Sequence, residues 1–415
     1  MNAEIIAIGS ELLTPYRQDT NSLFLTDGLN ALGIEVEFKS VVGDTREHLV
    51  NAARIAFGRA DVILFMGGLG PTEDDLTREC VAEALGIELR RDPGLTGDLY
   101  KWFAGRRLKM PESNLKQADV LTGAVTLPNA NGTAPGQWLE TEWAGRKLVI
   151  ALLPGPPREI KPMFDEQVMP RLNAISPGER IATRVLKVAM MGESACDEIA
   201  AKVYKKYRDI QTTILGGAGE VQLHLRGHAK TLQLAKAKVD RLADELEDAL
   251  EPHLFSSAGE SLEQIVGYYL DMRGVTIATA ESCTGGLVAE RLTSVAGSSR
   301  YFLGGVVAYS NDLKTGFVDI PPQLIEEHGA VSREIAVALA EGIRKRCGAQ
   351  LGLGVTGIAG PGGGSEEKPV GLVYCALADG KKTEVVQKNF PGDRERVRWY
   401  ASQQALDLVR RKLSS

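Results

Sequence analysis

The segment Ala280-Glu281-Ser282-Cys283-Thr284-Gly285-Gly286 places two possible nucleophiles, Ser282 and Cys283, ahead of two glycines. It falls between an apolar run that predicts a strand and a segment that predicts a helix. A hydroxyl at such a turn sits near a helix N-terminus, where free N–H groups and the dipole favour negative charge. Ser282 can therefore be a nucleophile whose developing oxyanion meets those N–H groups, or Ser282 or Thr284 can be a plain helix cap. Cys283 is a rival nucleophile with no nearby histidine to activate it. Tyr309 and Lys314 follow a second strand-like run, and a desolvated lysine can act as a base for a serine. The glycine-rich stretch Thr356-Gly357-Ile358-Ala359-Gly360-Pro361 could wrap a phosphate or a polarised carbonyl with its backbone. Arg394, Arg396 and Arg398 could clamp a phosphate or form a solvated basic helix face.

A second group of chemical residues lies in the first third of the chain. Gly67-Gly68-Leu69-Gly70-Pro71-Thr72-Glu73-Asp74-Asp75 follows a strand-like run, Asp61-Val62-Ile63-Leu64-Phe65-Met66. Its backbone can cradle a phosphate, while Asp74 and Asp75 can hold a hard divalent cation that bridges to it. Equally, the two acids can simply start a helix. Three short segments accompany it: Gly9-Ser10-Glu11, Asp19-Thr20-Asn21 and Gly43-Asp44. A fourth, Leu153-Pro154-Gly155-Pro156-Pro157-Arg158-Glu159, ends the last apolar run of this region.

The elements around these residues alternate. Continuous apolar strands between amphipathic helices predict βαβ units and mainly parallel sheets, with ligands at the carboxyl ends of the strands. From about 172 to 255 the pattern changes to β-α-β-β-α, with Val221, Leu223 and Leu225 alternating on one face and a long charged helix from Lys230 to Glu251. The stretch Pro252 to Gly259 reads as a boundary. The fold class is α/β, in three parts: 1–171, a connecting module at 172–255, and 256–415.

The chain has 415 residues, 44% hydrophobic and 25% charged, which suits packed globular domains rather than a disordered or fibrous chain. Its net charge of -6 argues against a general nucleic-acid coat. Five scattered cysteines without a CxxC pair argue against a zinc site or a disulfide framework. The absence of a long apolar run or a basic leader makes a cytoplasmic protein without membrane contact the expectation.

The ordered motifs AESCTGG, GSSRYFLGGVVAYSNDLK, VTGIAGPGGG, KPVGLVY and FPGDRERVR resemble the carboxyl-terminal domain of the CinA (competence/damage-inducible) family. The resemblance covers about 259 to 413. It implies an α/β deamidase domain that hydrolyses the amide of nicotinamide mononucleotide (NMN) to the acid and ammonia, without a cofactor. Carried to matching positions, it implies Ser282 as nucleophile, Lys314 as base and Tyr309 as their assistant. Ser299 and Thr356 would line the site together with Gly285 and Gly286. Gly357, Ala359, Gly360 and an arginine of the last motif, Arg396 or Arg398, would hold the phosphate. The first part, about 3 to 170, is similar to the MoaB/MogA-like three-layer α/β domains of the molybdopterin-binding superfamily.

For that part the family implies either molybdopterin binding or a metal-dependent ADP-ribose pyrophosphatase. The pyrophosphatase would use magnesium, manganese or cobalt, with potassium as a further ion. Its phosphate loop would comprise Glu11, Asp19, Asn21, Asp44, Gly67, Gly68, Gly70, Pro71 and Thr72, with Asp74 and Asp75 on the metal. One departure stands out: the family usually has glycine where this chain has Pro15, and proline fixes φ and removes a donor. The family also implies a homodimer. Two alternatives accompany the two-activity reading: a single deamidase with a ligand-binding first domain, and a non-enzymatic competence or recombination factor.

Overall fold

The computed structural model describes residues 1–176 and 178–414. They group into two compact units, Met1–Ala182 with His228–Lys236, and Thr183–Gly227 with Ala237–Ser415.

The first unit is built on a six-stranded sheet. Its spatial order is Glu35–Val42, Asn2–Ile8, Val62–Met66, Arg146–Leu153, Gly136–Trp143, Val125–Leu127. The first four are parallel and the last two antiparallel. Val62–Met66 is buried along its whole length, because helices cover both faces. Ile6, Ile63 and Phe65 pack with Leu49, Ala53 and Phe57 of the helix Arg46–Arg59. Ile5, Leu64 and Met66 pack on the other side with Leu25 and Leu29 of the helix Asn21–Ala31. Each fully buried aliphatic of this kind contributes about 1.5–3 kcal/mol. The segments after residues 8, 42, 66 and 153 all leave the carboxyl ends of parallel strands, so they meet at one edge.

The second unit holds a five-stranded sheet ordered Phe302–Val307, Ile277–Glu281, Leu351–Gly357, Leu372–Ala378, Thr383–Asn389. Its first three strands are parallel and its last two antiparallel. Ala278 and Ala280 face Ile335, Leu339 and Ile343 of the helix Arg333–Cys347. Ile277 faces Leu262 and Val266, together with Val397 and Ala401 of the helix Arg394–Ser414. The helix Arg333–Cys347 comes so close that a Cβ on Gly354 would sit 2.5 Å from the Ala336 carbonyl oxygen.

The middle segment forms a four-stranded sheet, Ile210–Gly217, Glu220–Ala229, Arg180–Ala189, Leu254–Ser256, with the helices Glu193–Tyr204 and Leu232–Leu250. Most of it groups with the second unit. The stretch expected to be a boundary, 252–259, carries the strand Leu254–Ser256, antiparallel to Arg180–Ala189. The reason is that Phe255 is buried with Leu262 and Val266, and the Arg184 Nε donates to the Ser257 carbonyl at 2.7 Å. Among the described residues no helix is long and apolar enough to cross a membrane.

Candidate active sites

Ser282 follows the central strand Ile277–Glu281 directly, and its N–H continues the ladder to the Val355 carbonyl at 2.9 Å. It is therefore the strand-side neighbour of Thr356, whose buried hydroxyl donates to the Ala330 carbonyl at 2.7 Å. On the other side Glu281 pairs with Val307, so Tyr309 leaves the neighbouring strand at the same edge. Ser310 then caps the helix Asn311–Val318, whose fourth residue is Lys314. Lys314 is 1% exposed, and its Nζ donates to the Tyr309 carbonyl at 3.1 Å. Burial holds its ammonium below the ordinary lysine value, while the nearby Cys283 sulfur opposes that shift. Three parallel strand ends thus bring Ser282, Tyr309, Lys314 and Thr356 to one edge. Cys283 is 5% exposed, and burial pushes its thiol up to about 12, which removes the thiolate that nucleophilic attack requires.

Gly285 and Gly286, with φ of 62° and 96°, let the turn enter the helix Leu287–Thr293. The free N–H groups expected there are mostly occupied. The buried Glu281 carboxylate accepts from Gly286 and Val288 at 3.0 Å each, and from Ala289 at 2.8 Å. Gly285 donates to the Ser282 carbonyl at 3.1 Å and Leu287 to that of Thr284 at 3.3 Å. Among the described residues, the N–H groups of Cys283 and Thr284 donate to no backbone carbonyl or carboxylate. Glu281 thus holds the turn that follows Ser282, a role that the sequence reading missed. Its signal was an acid closing a buried strand just before a glycine turn.

The arginines separate by helical phase. At 100° per residue, positions 394 and 398 share a face and 396 opposes them. Arg394 donates to the Gly360 carbonyl at 2.9 Å and to the Tyr309 hydroxyl at 2.7 Å, tying the glycine-rich loop to the Tyr309 side. Arg398 donates twice to the Thr284 carbonyl, at 2.8 and 3.2 Å. Arg396, expected beside Arg398, instead packs against Tyr400 and lines a separate cavity with Met190 and Gly219. Gly357 is closely packed: a Cβ there would lie 2.7 Å from the Leu372 carbonyl. Ala359 is buried, and Gly360 has φ 83°.

Ser299 is not brought to this edge. It is exposed and precedes the strand Phe302–Val307, whereas Ser282, Tyr309 and Thr356 follow their strands or close them. Since Ile277 pairs with Phe302, Ser299 lies at the amino end of the parallel strands, opposite the candidate site.

In the first unit a cavity of about 490 Å³ opens where the four parallel strands end. It is lined by Glu11, Asp44, Gly67, Gly68, Gly70, Pro71, Thr72, Asp74 and Asp75, by Arg158 and Glu159 of the segment that ends the last apolar run, and also by Trp102, which the sequence reading left out. Asp19 and Asn21 do not line it. The Asp19 carboxylate accepts from the Ser22 N–H at 3.0 Å and starts its own helix. The Asn21 side-chain amide donates to the Gly155 carbonyl at 2.7 Å, supporting the cavity wall from behind. Pro15 follows the short 3₁₀ turn Ser10–Leu13, and that turn is pinned by Asp44 accepting from the Ser10 N–H at 2.7 Å.

The Thr72 hydroxyl donates to Asp75 at 2.6 Å and also contacts the Asp74 carboxylate, so the two acids converge. That contact holds the exposed Asp74 carboxyl below its usual range. Lys116 fastens the loop from outside, donating to the Thr72 and Asp75 carbonyls at 2.8 and 2.6 Å. Beneath the loop lies the fully buried Arg78, donating to the Leu69 carbonyl at 2.5 Å. Among the described residues no group of three or more His, Cys, Asp or Glu could cage a metal ion. The cavity nevertheless brings together five acidic residues, Glu11, Asp44, Asp74, Asp75 and Glu159, against one guanidinium, Arg158. This donor set fits a cation held by Asp74 and Asp75 and completed by phosphate oxygens and water.

Residues 4–174 match the family model described as the probable molybdopterin binding domain, and residues 259–413 match the CinA C-terminal domain. A CinA-like protein of Koribacter versatilis is 60% identical over 413 residues, covering 100% of both chains. The chain belongs to the CinA family. A CinA-like protein of Acidobacterium capsulatum is 57% identical over the same span, again covering 100% of both chains. Among solved structures, the competence/damage inducible protein CihA from Agrobacterium tumefaciens is 37% identical over 37% of this chain and 94% of its own, with a TM-score of 0.36. Within this CinA chain the first matched region contains the cavity at the Gly67–Asp75 edge, and the second contains the Ser282 edge.

Proposed function

We propose that the carboxyl-terminal unit is an amidohydrolase that converts NMN and water to nicotinic acid mononucleotide and ammonia. The observation that carries this is a buried lysine, held below its ordinary pKa, at the same strand edge as an activated-serine candidate. Neutral Lys314 takes the proton of Ser282, and the Ser282 oxygen attacks the carboxamide carbon. The N–H groups of Cys283 and Thr284, left without a carbonyl or carboxylate partner, receive the oxyanion. Lys314 returns the proton to the leaving nitrogen, ammonia departs, and an ester remains on Ser282. Water, deprotonated by Lys314, then releases the acid. Arg394 has donors to spare beyond Gly360 and Tyr309 and is the arginine best set to meet the single phosphate.

We infer a second activity for the first unit, metal-dependent cleavage of ADP-ribose at its pyrophosphate. Its support is the charge balance: a pyrophosphate among five acids and one arginine requires an added cation to offset repulsion. A divalent ion held by Asp74 and Asp75 would neutralise charge on the pyrophosphate and polarise it. With the Gly67 and Thr72 N–H groups donating to the Leu153 carbonyl and the Asp75 carboxylate, those of Gly68, Leu69 and Gly70 are the donors that would orient the phosphates.

Ammonia release from NMN by the purified chain, with Ser282→Ala alongside, tests the first activity. Release by the wild type and none from the folded variant is the expected result; equal release from both removes Ser282. Asp74→Asn is expected to lower ADP-ribose cleavage while leaving ammonia release intact; a joint fall of both activities removes the separate-site picture.

A further inference from the structure

At the amino end of the five-stranded sheet, opposite the Ser282 edge, the helix Arg333–Cys347 finishes beside the turn that joins Leu372–Ala378 to Thr383–Asn389. Ala378 pairs with Gly352, near the start of Leu351–Gly357, whereas Thr356 lies near the other end of that strand. A cavity of about 170 Å³ lies between the helix and the turn. Four cations line it: Arg344 and Lys345 from the helix, Lys381 and Lys382 from the turn. One carboxylate, Glu341, accompanies them, and it accepts from the Thr383 hydroxyl at 2.7 Å. Among the described residues, none of the four cationic groups forms a hydrogen bond or an ion pair, and the half-buried Arg344 has its Nε buried without a partner.

The neighbouring acids are occupied or turned away. Asp379 accepts from the N–H groups of Lys381 and Lys382 at 2.8 and 2.9 Å, and from the Lys412 Nζ at 2.7 Å. Val385 packs on the helix side with Ala336 and Ala340, so by alternation Glu384 points to the other face of the sheet. Asp319 pairs with Arg346 at 3.6 Å. A basic last turn is ordinary for a helix, because cations offset its dipole. That accounts for Arg344 and Lys345, but not for two lysines brought beside them by a separate segment. Gathered like charges repel, and an anion among them relieves the repulsion. The backbone that presents the lysines is held by Asp379, and Gly380, with φ 85°, passes so close that a Cβ there would lie 2.9 Å from the Arg344 guanidinium. A site fixed in this way loses little freedom when it binds.

We propose that this cavity is a binding site for inorganic pyrophosphate-class anions, belonging to neither candidate active site. The Arg344 guanidinium offers a planar fork to two oxygens, and Lys345, Lys381 and Lys382 supply point charges around it. The excess of cations over carboxylates suits a multiply charged anion rather than a single carboxylate. The volume lies below the roughly 300–1,000 Å³ of pockets that hold whole small-molecule ligands, so phosphate groups enter and a nucleoside does not.

Calorimetric titration of inorganic pyrophosphate into the full chain tests this, with chelator present so that the cation proposed for the first unit is absent. Wild type, Arg344→Gln, the double variant Lys381→Gln/Lys382→Gln and Arg394→Gln are compared, each checked for folding by thermal melting. The wild type is expected to bind, the first two variants about ten- to a hundredfold more weakly, and Arg394→Gln as the wild type does. Acetate at the same concentration should not bind, and added salt should weaken the wild-type affinity. If Arg344→Gln does not fold, the lysine pair, on an exposed turn, carries the decision. No binding by the wild type, equal binding of acetate, or an affinity that the double variant leaves intact overturns the site. Loss of binding only in Arg394→Gln assigns the anion to the Ser282 edge and overturns it as well.

Discussion

Replacing Glu281 by glutamine removes one charge and turns one acceptor into a donor at a place with no room to adjust. The carboxylate is 1% exposed and receives three backbone N–H groups, from Gly286, Val288 and Ala289. A glutamine oxygen can keep Gly286 and Val288, but its NH₂ then faces the Ala289 N–H. One charge-assisted hydrogen bond is lost, a buried donor is left unpaired, and the favourable anion at the helix N-terminus disappears. Together these amount to about 2–5 kcal/mol. For a unit of roughly 150–250 residues, each kcal/mol moves the melting midpoint by about 2–4 °C. Glu281→Gln should therefore melt about 5–15 °C lower, counting partial relaxation of the turn. Because Ser282 is the next residue, the turn that aims it also loosens. On the proposed reaction, kcat should fall by about tenfold to a hundredfold with KM nearly constant, as expected when a reacting group is misplaced by an ångström or less. Thermal melting read beside ammonia release from NMN provides the measurement. A midpoint within about 2 °C of wild type, with kcat unchanged, would refute the claim that this carboxylate holds the turn.

Lys314→Met should reduce ammonia release by two or more orders of magnitude, in line with about 10²–10⁴-fold for a positioned base; a rate near wild type excludes the lysine base. The base must be neutral, so the wild-type rate should rise with pH along a limb below the ordinary lysine value, in keeping with the lowered pKa of Lys314. That limb should be missing from the residual activity of Lys314→Met, and its persistence would assign it to another group. By linkage, the penalty of burying charged Lys314 is present in full at low pH and relieved as pH rises through its folded pKa, so this residue adds stability toward alkaline pH. Cys283→Ala should keep most of the deamidase activity, since burial lifts the thiol to about 12; abolition in a folded variant would make sulfur the nucleophile. Chelation of divalent ions should stop ADP-ribose cleavage and spare ammonia release, and loss of both would place a metal in the serine chemistry.

The alternation of apolar strands and helices was legible from periodicity, and so were the α/β class and the strand-end positions of Ser282 and the Gly67–Asp75 loop. What the sequence withheld was mostly direction. Arg394, Arg396 and Arg398 look equivalent as a string, but helical phase points Arg396 away from the other two. Ser299 sits in a conspicuous motif, yet it precedes its strand, and in a parallel sheet that places it at the end away from Ser282. Both points follow from arithmetic that the motifs themselves do not display. Trp102 was not legible, because the first cavity closes through chain segments far apart in sequence, and Glu159 stood in a named segment without a role of its own. Glu281 was hidden by type: a carboxylate in a buried strand face reads as an exception until the three N–H groups it receives are seen.

On the proposed readings the two candidate sites would meet anionic ligands by opposite means, and the difference follows from how each edge is built. At the Ser282 edge, the helix dipole and most of its N–H groups are already satisfied by Glu281, so anion recognition falls to side chains, with Arg394 and Arg398 on one helix face. One phosphate is a charge that one fixed guanidinium can match. At the Gly67–Asp75 edge, the backbone of Gly68, Leu69 and Gly70 lines the cavity, but the surrounding side chains are acidic. A pyrophosphate there would meet more negative charge than Arg158 can offset, so on this reading a divalent ion completes the site rather than assisting it. The fold places both edges at the carboxyl ends of parallel strands, and on the proposed readings the side chains each edge carries decide whether a proton carrier or a cation would do the chemistry.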